Sequence, residues 1–261
     1  MKDLAGKTAL VTGGGAGIGR CLCLAFAEEG MNVVIADREI ERAHAVAKEV
    51  MSAGVQAMAY RCDVTDADAV RELSDAAFAM FGEINLLCNN AGVVQSGPLA
   101  EAPLEDWEWV FKVNLGGVVN GIRAFVPRMK QQGGGHIVNS ASLSGMFALP
   151  GFGIYTASKY AVVAISETLR IELERDGIGV SVLCPGPVHS RIDETTRVRS
   201  AVERDFVNGP PPLDLRNPED TATAVVEAVK ANRQYIYTHA DGVIGTQMRF
   251  KEILADFAFA P

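Results

Sequence analysis

Short β-branched runs alternate with longer helical patterns along this chain, and that alternation leaves few folds open. Apolar runs lie near residues 8 to 12, 32 to 36, 55 to 60, 84 to 88, 135 to 140, 178 to 183 and 235 to 238. Between them, helical patterns begin near Gly17, Glu39, Asp66, Asn114, Phe152 and Pro218, with a shorter one near Pro103. Repeated βα units build a parallel sheet covered on both faces, and strands this apolar belong in its buried middle layer. The expectation is a doubly wound α/β fold of about seven strands. At 261 residues and 48% hydrophobic content the chain is long enough for a sizeable core. Only Pro185 to Asn217 reads as irregular, with five of the eleven prolines and a cluster of charges. Such an insertion is usually a lid or a disordered segment. A single domain over residues 1 to 261 is therefore expected, with a substrate-covering loop at about 188 to 217.

Acidic side chains outnumber basic ones by 32 to 24, a formal charge of -8 that repels phosphate backbones and anionic lipid. Nucleic-acid and membrane partners are disfavoured. The start carries no basic segment followed by an apolar stretch, so no secretory leader is predicted. The charge-free stretch from Ile137 to Ser158 is interrupted by serines, glycines and Pro150 and does not span a bilayer. Five cysteines (Cys21, Cys23, Cys62, Cys88, Cys184) form no CxxC and read as small apolar fillers of a reduced, cytoplasmic protein. His44, His136 and His239 show no metal-ligand spacing, and no metal is predicted.

Residues 12 to 19 read Thr-Gly-Gly-Gly-Ala-Gly-Ile-Gly, directly after the first strand and before the amphipathic run Arg20 to Glu29. A helix N-terminus offers unpaired N–H groups and partial positive charge, and glycines let a pyrophosphate approach the backbone. Asp37 follows 18 residues after Gly19, at the end of the second strand, where a carboxylate accepts hydrogen bonds from an adenosine ribose. The stretch Gly14 to Cys21 misses the nucleotide P-loop, because Arg20-Cys21 stands where Lys-Ser/Thr is needed. A 2'-phosphate would face the Asp37 carboxylate, so NAD is favoured over NADP. Arg38, beside Asp37, is the reservation, since its guanidinium can pair with a phosphate.

Tyr155 and Lys159 stand four apart at the opening of the Phe152 helix and so share a face. A tyrosine near its reference pKa of about 10 is a poor base at neutral pH, and a neighbouring ammonium favours the phenolate. Alone, tyrosine and lysine at helical spacing more often flank a surface patch. Their position after the fifth strand, whose end faces the crevice of the glycine turn, gives the pair its meaning. Ser142, just past that strand, can donate to a substrate oxygen.

Taken together, these residues resemble the single-domain, Rossmann-fold short-chain dehydrogenases/reductases across essentially the whole chain. The family's TGxxxGxG is matched by Thr12, Gly13, Gly17 and Gly19, its Asn-Asn-Ala-Gly by Asn89 to Gly92, its YxxxK by Tyr155 and Lys159, and its Pro-Gly turn by Pro185-Gly186. The resemblance implies hydride exchange between a secondary alcohol or ketone and the nicotinamide, with Tyr155 moving the proton and Ser142 polarising the oxygen. It implies that Lys159 also holds the nicotinamide ribose and that Asn114 anchors a proton-relaying water. Cofactor contacts implied with it are Gly13, Gly15, Gly17, Ile18, Gly19, Asp37, Arg38, Asp63 and Val64 at the adenosine end. Asn90, Ala91, Gly92, Tyr155, Lys159, Pro185, Gly186, Val188 and Ser190 complete that set, with Val188 a backbone partner of the carboxamide. Ser190 stands where the family often has threonine. Ser140 and Ser144 rival Ser142, which has the family's usual interval to the tyrosine. A homotetramer or homodimer is implied.

On the substrate side, Phe147, Leu149, Phe152 and Ile154 either wall the reacting carbon, suiting a bulky apolar or aromatic alcohol, or serve as core. His189 either touches the substrate or is solvated. Trp107 and Trp109 alternate on a helix, so at most one faces inward; packing or assembly is expected for both. Cys184 to Ile192 and Tyr235 to His239 look similar to the Cα-dehydrogenases of lignin aryl ether breakdown, which points to a benzylic alcohol. Rival readings are an NADPH-dependent carbonyl reductase, a hydroxysteroid dehydrogenase and a noncatalytic NAD-responsive binding protein.

Overall fold

The structure, a computed structural model, describes residues 1–190, 192–199 and 213–257. In chain order its elements are β1 (Thr8–Thr12), α1 (Gly17–Glu28), β2 (Asn32–Asp37), α2 (Ile40–Met51), β3 (Ala57–Arg61), α3 (Ala67–Phe81) and β4 (Leu86–Asn89). Next come β5 (Gln95–Ser96), α4 (Leu104–Phe111), α5 (Gly117–Gln131), β6 (Gly135–Ser140), α6 (Gly153–Glu172) and β7 (Ile178–Cys184). The chain continues with α7 (Ile192–Thr195), β8 (Arg197–Val198), α8 (Pro218–Lys230), β9 (Tyr235–Tyr237) and α9 (Gly242–Phe257).

Seven strands form one sheet in the order β3-β2-β1-β4-β6-β7-β9, every pair parallel. Side chains alternate across it as the strand period demands. Ala9, Val11, Val33 and Ile35 pack with Phe26 and Val225 on one face, while Leu10, Val34 and Ala36 pack with Leu73 and Phe125 on the other. Both faces are therefore dry, which explains why β1 reads as an unbroken apolar run rather than an alternating one. Local signals agree with the helix limits. Asp66 caps α3 by accepting from the backbone N–H groups of Asp68 and Ala69, and Pro218 opens α8.

The seven strands and the main helices lie where the sequence places them, within a few residues. Three features differ. The helix expected to begin near Asn114 continues from α4 through a π turn, Lys112–Gly116, into α5. A two-residue parallel pair, β5 with β8, forms outside the main sheet. The C-terminal helix α9 has no counterpart in the sequence reading. Of the substrate-covering segment expected over 188 to 217, residues 191 and 200–212 lie outside the described residues. Among the described residues no helix is long and apolar enough to cross a membrane.

Strand order reverses between β1 and β4, so the chain leaves the carboxyl ends of these neighbours in opposite directions and a crevice opens there.

Candidate active site

The glycine turn after β1 is held in a shape only glycine permits. Gly13 and Gly17 have φ of +63° and +51°, and a Cβ at Gly19 would lie 2.0 Å from the Gly13 carbonyl oxygen. Gly15 N–H donates to Asp37 Oδ2 at 2.9 Å, and Glu39 N–H to Oδ1 at 3.0 Å, so the carboxylate at the end of β2 is fixed against the turn. Arg42 is occupied by Glu39 at 2.9 Å, while Arg38 is exposed and meets Glu39 only at 3.9 Å.

Asn90 joins the ends of three strands. Its backbone N–H donates to Thr12 Oγ1 at 3.0 Å, its Nδ2 to the Thr12 carbonyl at 3.1 Å, and its Oδ1 accepts from Ser140 Oγ at 3.3 Å. These contacts hold the mouth of the crevice in register with β6.

Tyr155 and Lys159 lie in the opening turns of α6. Lys159 is 4% exposed; its Nζ donates to the Ser140 carbonyl at 2.8 Å and lies 5.5 Å from the Tyr155 ring centroid. Burial lowers its pKa to about 8. Burial raises Tyr155 above its ordinary value, the Ser142 hydroxyl draws it back, and Cys184 adds to the rise. The sequence reading has the Lys159 ammonium setting the phenol's acidity. In the structure desolvation dominates, and Ser142 supplies the opposing pull.

Ser142 caps a short 3-10 turn, accepting from Ser144 N–H at 3.1 Å and donating to the Pro185 carbonyl at 3.4 Å. Of its rivals, Ser140 donates through Oγ to Asn90 Oδ1 and lines the crevice, and Ser144 is buried in the turn. Asn114 is fully buried in the π turn. Its Oδ1 accepts from Val93 N–H at 2.8 Å, and its Nδ2 donates to the Val93 carbonyl and to Ser158 Oγ, both at 3.0 Å. Both amide hydrogens are thus taken, while one lone pair of Oδ1 stays available to a further donor.

An open cleft of about 440 Å³ runs along the crevice. Of the residues the sequence singles out, it is lined by Gly13, Gly17, Ile18 and Gly19, by Asp37, Arg38, Asp63 and Val64, and by Asn90, Ala91 and Gly92. Tyr155, Lys159, Pro185 and Ser190 line it as well. Gly15, Asn114, Ser142, Gly186 and Val188 are not part of its lining. Gly186 N–H donates to Thr238 Oγ1 at 3.2 Å, and Val188 bridges to Arg216. His189 is exposed.

Of the residues left between wall and core, two fall to the core. Ile154 and Phe147 are buried in separate core clusters, Ile154 against Val93 and Val110 and Phe147 with Leu143 and Val163, so neither walls the cleft. Trp109, expected only to pack, lines it instead with Val93, Val113, Ile192 and Thr195. Trp109 and Val113 are four apart on one helical run, a spacing that carried this signal in the sequence. Arg42, in the first turn of α2, lines the cleft as well.

A turn able to receive a pyrophosphate, a carboxylate set for a ribose, and a phenol beside a buried amine thus border one cleft. This fits a dinucleotide, since the backbone at Gly13 and Gly19 leaves no room for Cβ atoms and Asp37 is held in place before any ligand arrives.

The sequence model of the family described as short chain dehydrogenase matches residues 7–200. The 1-deoxy-11-beta-hydroxypentalenate dehydrogenase of Streptomyces exfoliatus is 36% identical over 258 residues, covering 98% of this chain and 91% of that protein. The C alpha-dehydrogenase of Sphingobium sp. strain SYK-6 is 33% identical over 270 residues, covering 99% and 88%. The crystal structure of a short chain dehydrogenase/reductase from Burkholderia phymatum in complex with NAD superposes with a TM-score of 0.88 at 35% identity, covering 98% of this chain and 97% of that one.

Proposed function

The chain belongs to the short-chain dehydrogenase family and is an oxidoreductase acting on CH–OH groups, and on that premise we propose that it interconverts a bulky, apolar or aromatic secondary alcohol and its ketone with NAD. The observation that carries this reading is that Tyr155 and Lys159 line the same cleft as the glycine turn and Asp37.

Bound NAD supplies the hydride acceptor. The turn from Gly13 to Gly19 would receive its pyrophosphate, Asp37 its adenosine ribose, and Lys159 its nicotinamide ribose. Asp37 also sets an anion where a 2'-phosphate would sit, which supports NAD over NADP. In the oxidative direction Tyr155, as the phenolate, would take the proton of the alcohol hydroxyl while the carbinol hydride passes to NAD, and the Ser142 hydroxyl, which favours that phenolate, would donate to the same oxygen. With a pKa of about 8, Lys159 Nζ holds a proton it can pass on near neutral pH. Asn114 enters as a positioning residue that ties Val93 to Ser158 behind the cleft.

The apolar substrate class is supported by Val93, Trp109 and Ile192 in the lining and by similarity to the C alpha-dehydrogenase. Five thiols, none in a disulfide, support a cytoplasmic setting. Exposed Leu104 and Ile171 support self-association as a homotetramer or homodimer.

The test follows NADH formation by the purified protein against benzylic, steroid and alicyclic secondary alcohols. At least one class is oxidised, and Tyr155→Phe reduces that turnover by at least about 1000-fold while NAD affinity stays within a few-fold. Retained activity in the variant removes Tyr155 from the chemistry.

A further inference from the structure

Asp106, on α4, is 0% exposed and carries a charge. A buried carboxylate is prohibitive without partners, and here the partners come from outside its own helix. Arg197 Nη1 donates to Oδ1 at 3.0 Å. Arg199 grips both oxygens, with Nε on Oδ2 and Nη2 on Oδ1, each at 2.7 Å. The second nitrogen of that fork also donates to Glu105 Oε1 at 2.7 Å. The two guanidiniums, Arg199 foremost, hold the Asp106 carboxyl below the usual carboxylate range, so the charge persists at working pH.

The same stretch is attached in two further ways. Arg197 N–H donates to the Val94 carbonyl and Arg199 N–H to that of Ser96, which completes the β5–β8 pair. The Arg197 guanidinium lies 4.0 Å from the Trp109 ring centroid. Exposed ion pairs contribute little, but a forked arginine on a carboxylate removed from water is stronger and geometrically specific. Immediately before this anchored stretch comes α7, whose Ile192 and Thr195 line the cleft together with Trp109.

We infer that Asp106 is a positioning residue for the substrate: through Arg197 and Arg199 it fixes α7 and Trp109 as one wall of the cleft. This rests on the dehydrogenase reading above, and it assigns Asp106 no contact with the cofactor or the reacting atoms. A carboxylate serving only α4 would gain nothing from forming its contacts with residues 91 and 93 positions away. Disturbing it therefore weakens the grip on a bulky alcohol and leaves the bond-making groups in place.

The chain has two tryptophans, so in a Trp107→Phe background Trp109 is the one indole, and its quenching by acrylamide reads the Arg197 cover without any ligand. Asp106→Asn is expected to raise the quenching constant about twofold and the KM for the alcohol about tenfold, with kcat and the NAD dissociation constant within about threefold. Arg199→Lys keeps the charge and loses the fork, and is expected to raise KM by a smaller factor. Arg199 is partly exposed, so this variant tests the clasp even if Asp106→Asn does not fold. Quenching unchanged in both variants overturns the inference, as does a fall in kcat and NAD affinity that accompanies the change in KM. Absence of alcohol turnover in the parent overturns the dehydrogenase reading itself, and the quenching comparison then decides whether Asp106 holds this wall.

Discussion

Lys159 and His136 are both buried titratable groups, and they meet burial in opposite ways. Lys159 keeps a hydrogen bond to the Ser140 carbonyl and faces the cleft, so its pKa of about 8 leaves it able to exchange a proton near neutrality. His136, in β6 and 1% exposed, is driven by desolvation to about 3 and stays neutral, with Nε2 paired to Ser181 Oγ at 2.8 Å and Nδ1 without a partner. Between pH 6.5 and 3 the unfolded chain binds a proton that folded His136 refuses, so this site's contribution to stability is complete above 6.5 and declines as pH falls. Going from pH 7 to 5 removes about 2 kcal/mol at this one group. Urea unfolding at both pH values is expected to show a smaller loss for His136→Asn than for the parent; equal losses would place the acid sensitivity elsewhere.

At the level of elements, the strands were the most legible part of the sequence, because a strand buried on both faces is written as a plain apolar run. The Gly13 to Gly19 turn was legible for a related reason: close backbone approach admits one residue type. Other features had no local signature. The π turn is a tertiary outcome, in which Asn114 bonds to Val93 and Ser158 from distant stretches and draws the helix out of register there. Helix α9 seats Gly242 and Gly245 against Leu143 and Phe147 and leaves Val243, Phe250 and Leu254 exposed, so it presents no conventional buried face to detect. The β5–β8 pair joins residues about a hundred positions apart, which no local pattern encodes. Asn114→Ala leaves the Val93 N–H and carbonyl and the Ser158 hydroxyl short of partners, a loss of about 3 kcal/mol. Calorimetry is expected to find Tm lowered by about 6–10 °C, with turnover reduced more than tenfold. An unchanged Tm would mean that the turn does not depend on that amide.

On the scale of the whole molecule, the cleft is a product of topology. The sheet order sets β4 between β1 and β6, so three loops far apart in sequence meet at one end of the sheet: the glycine turn, Asn90 to Gly92, and Ser140 to Ser142. Helix α6 crosses that end and brings Tyr155 and Lys159 to the same cleft. The sequence contained each of these motifs, but the order of the strands, and with it the meeting of the loops, exists only in the fold. The same holds for Trp109 and Asp106, whose partners Arg197 and Arg199 come from a stretch distant in sequence. Oxidation in this cleft therefore requires direct transfer between two molecules held in one crevice. The decisive measurement uses a secondary alcohol, drawn from the class the protein oxidises, that carries deuterium on its carbinol carbon, and analyses the reduced cofactor by mass spectrometry. Near-stoichiometric deuterium in the NADH, abolished with Tyr155→Phe while NAD still binds, is the predicted result; ketone formed without label in the cofactor would contradict it.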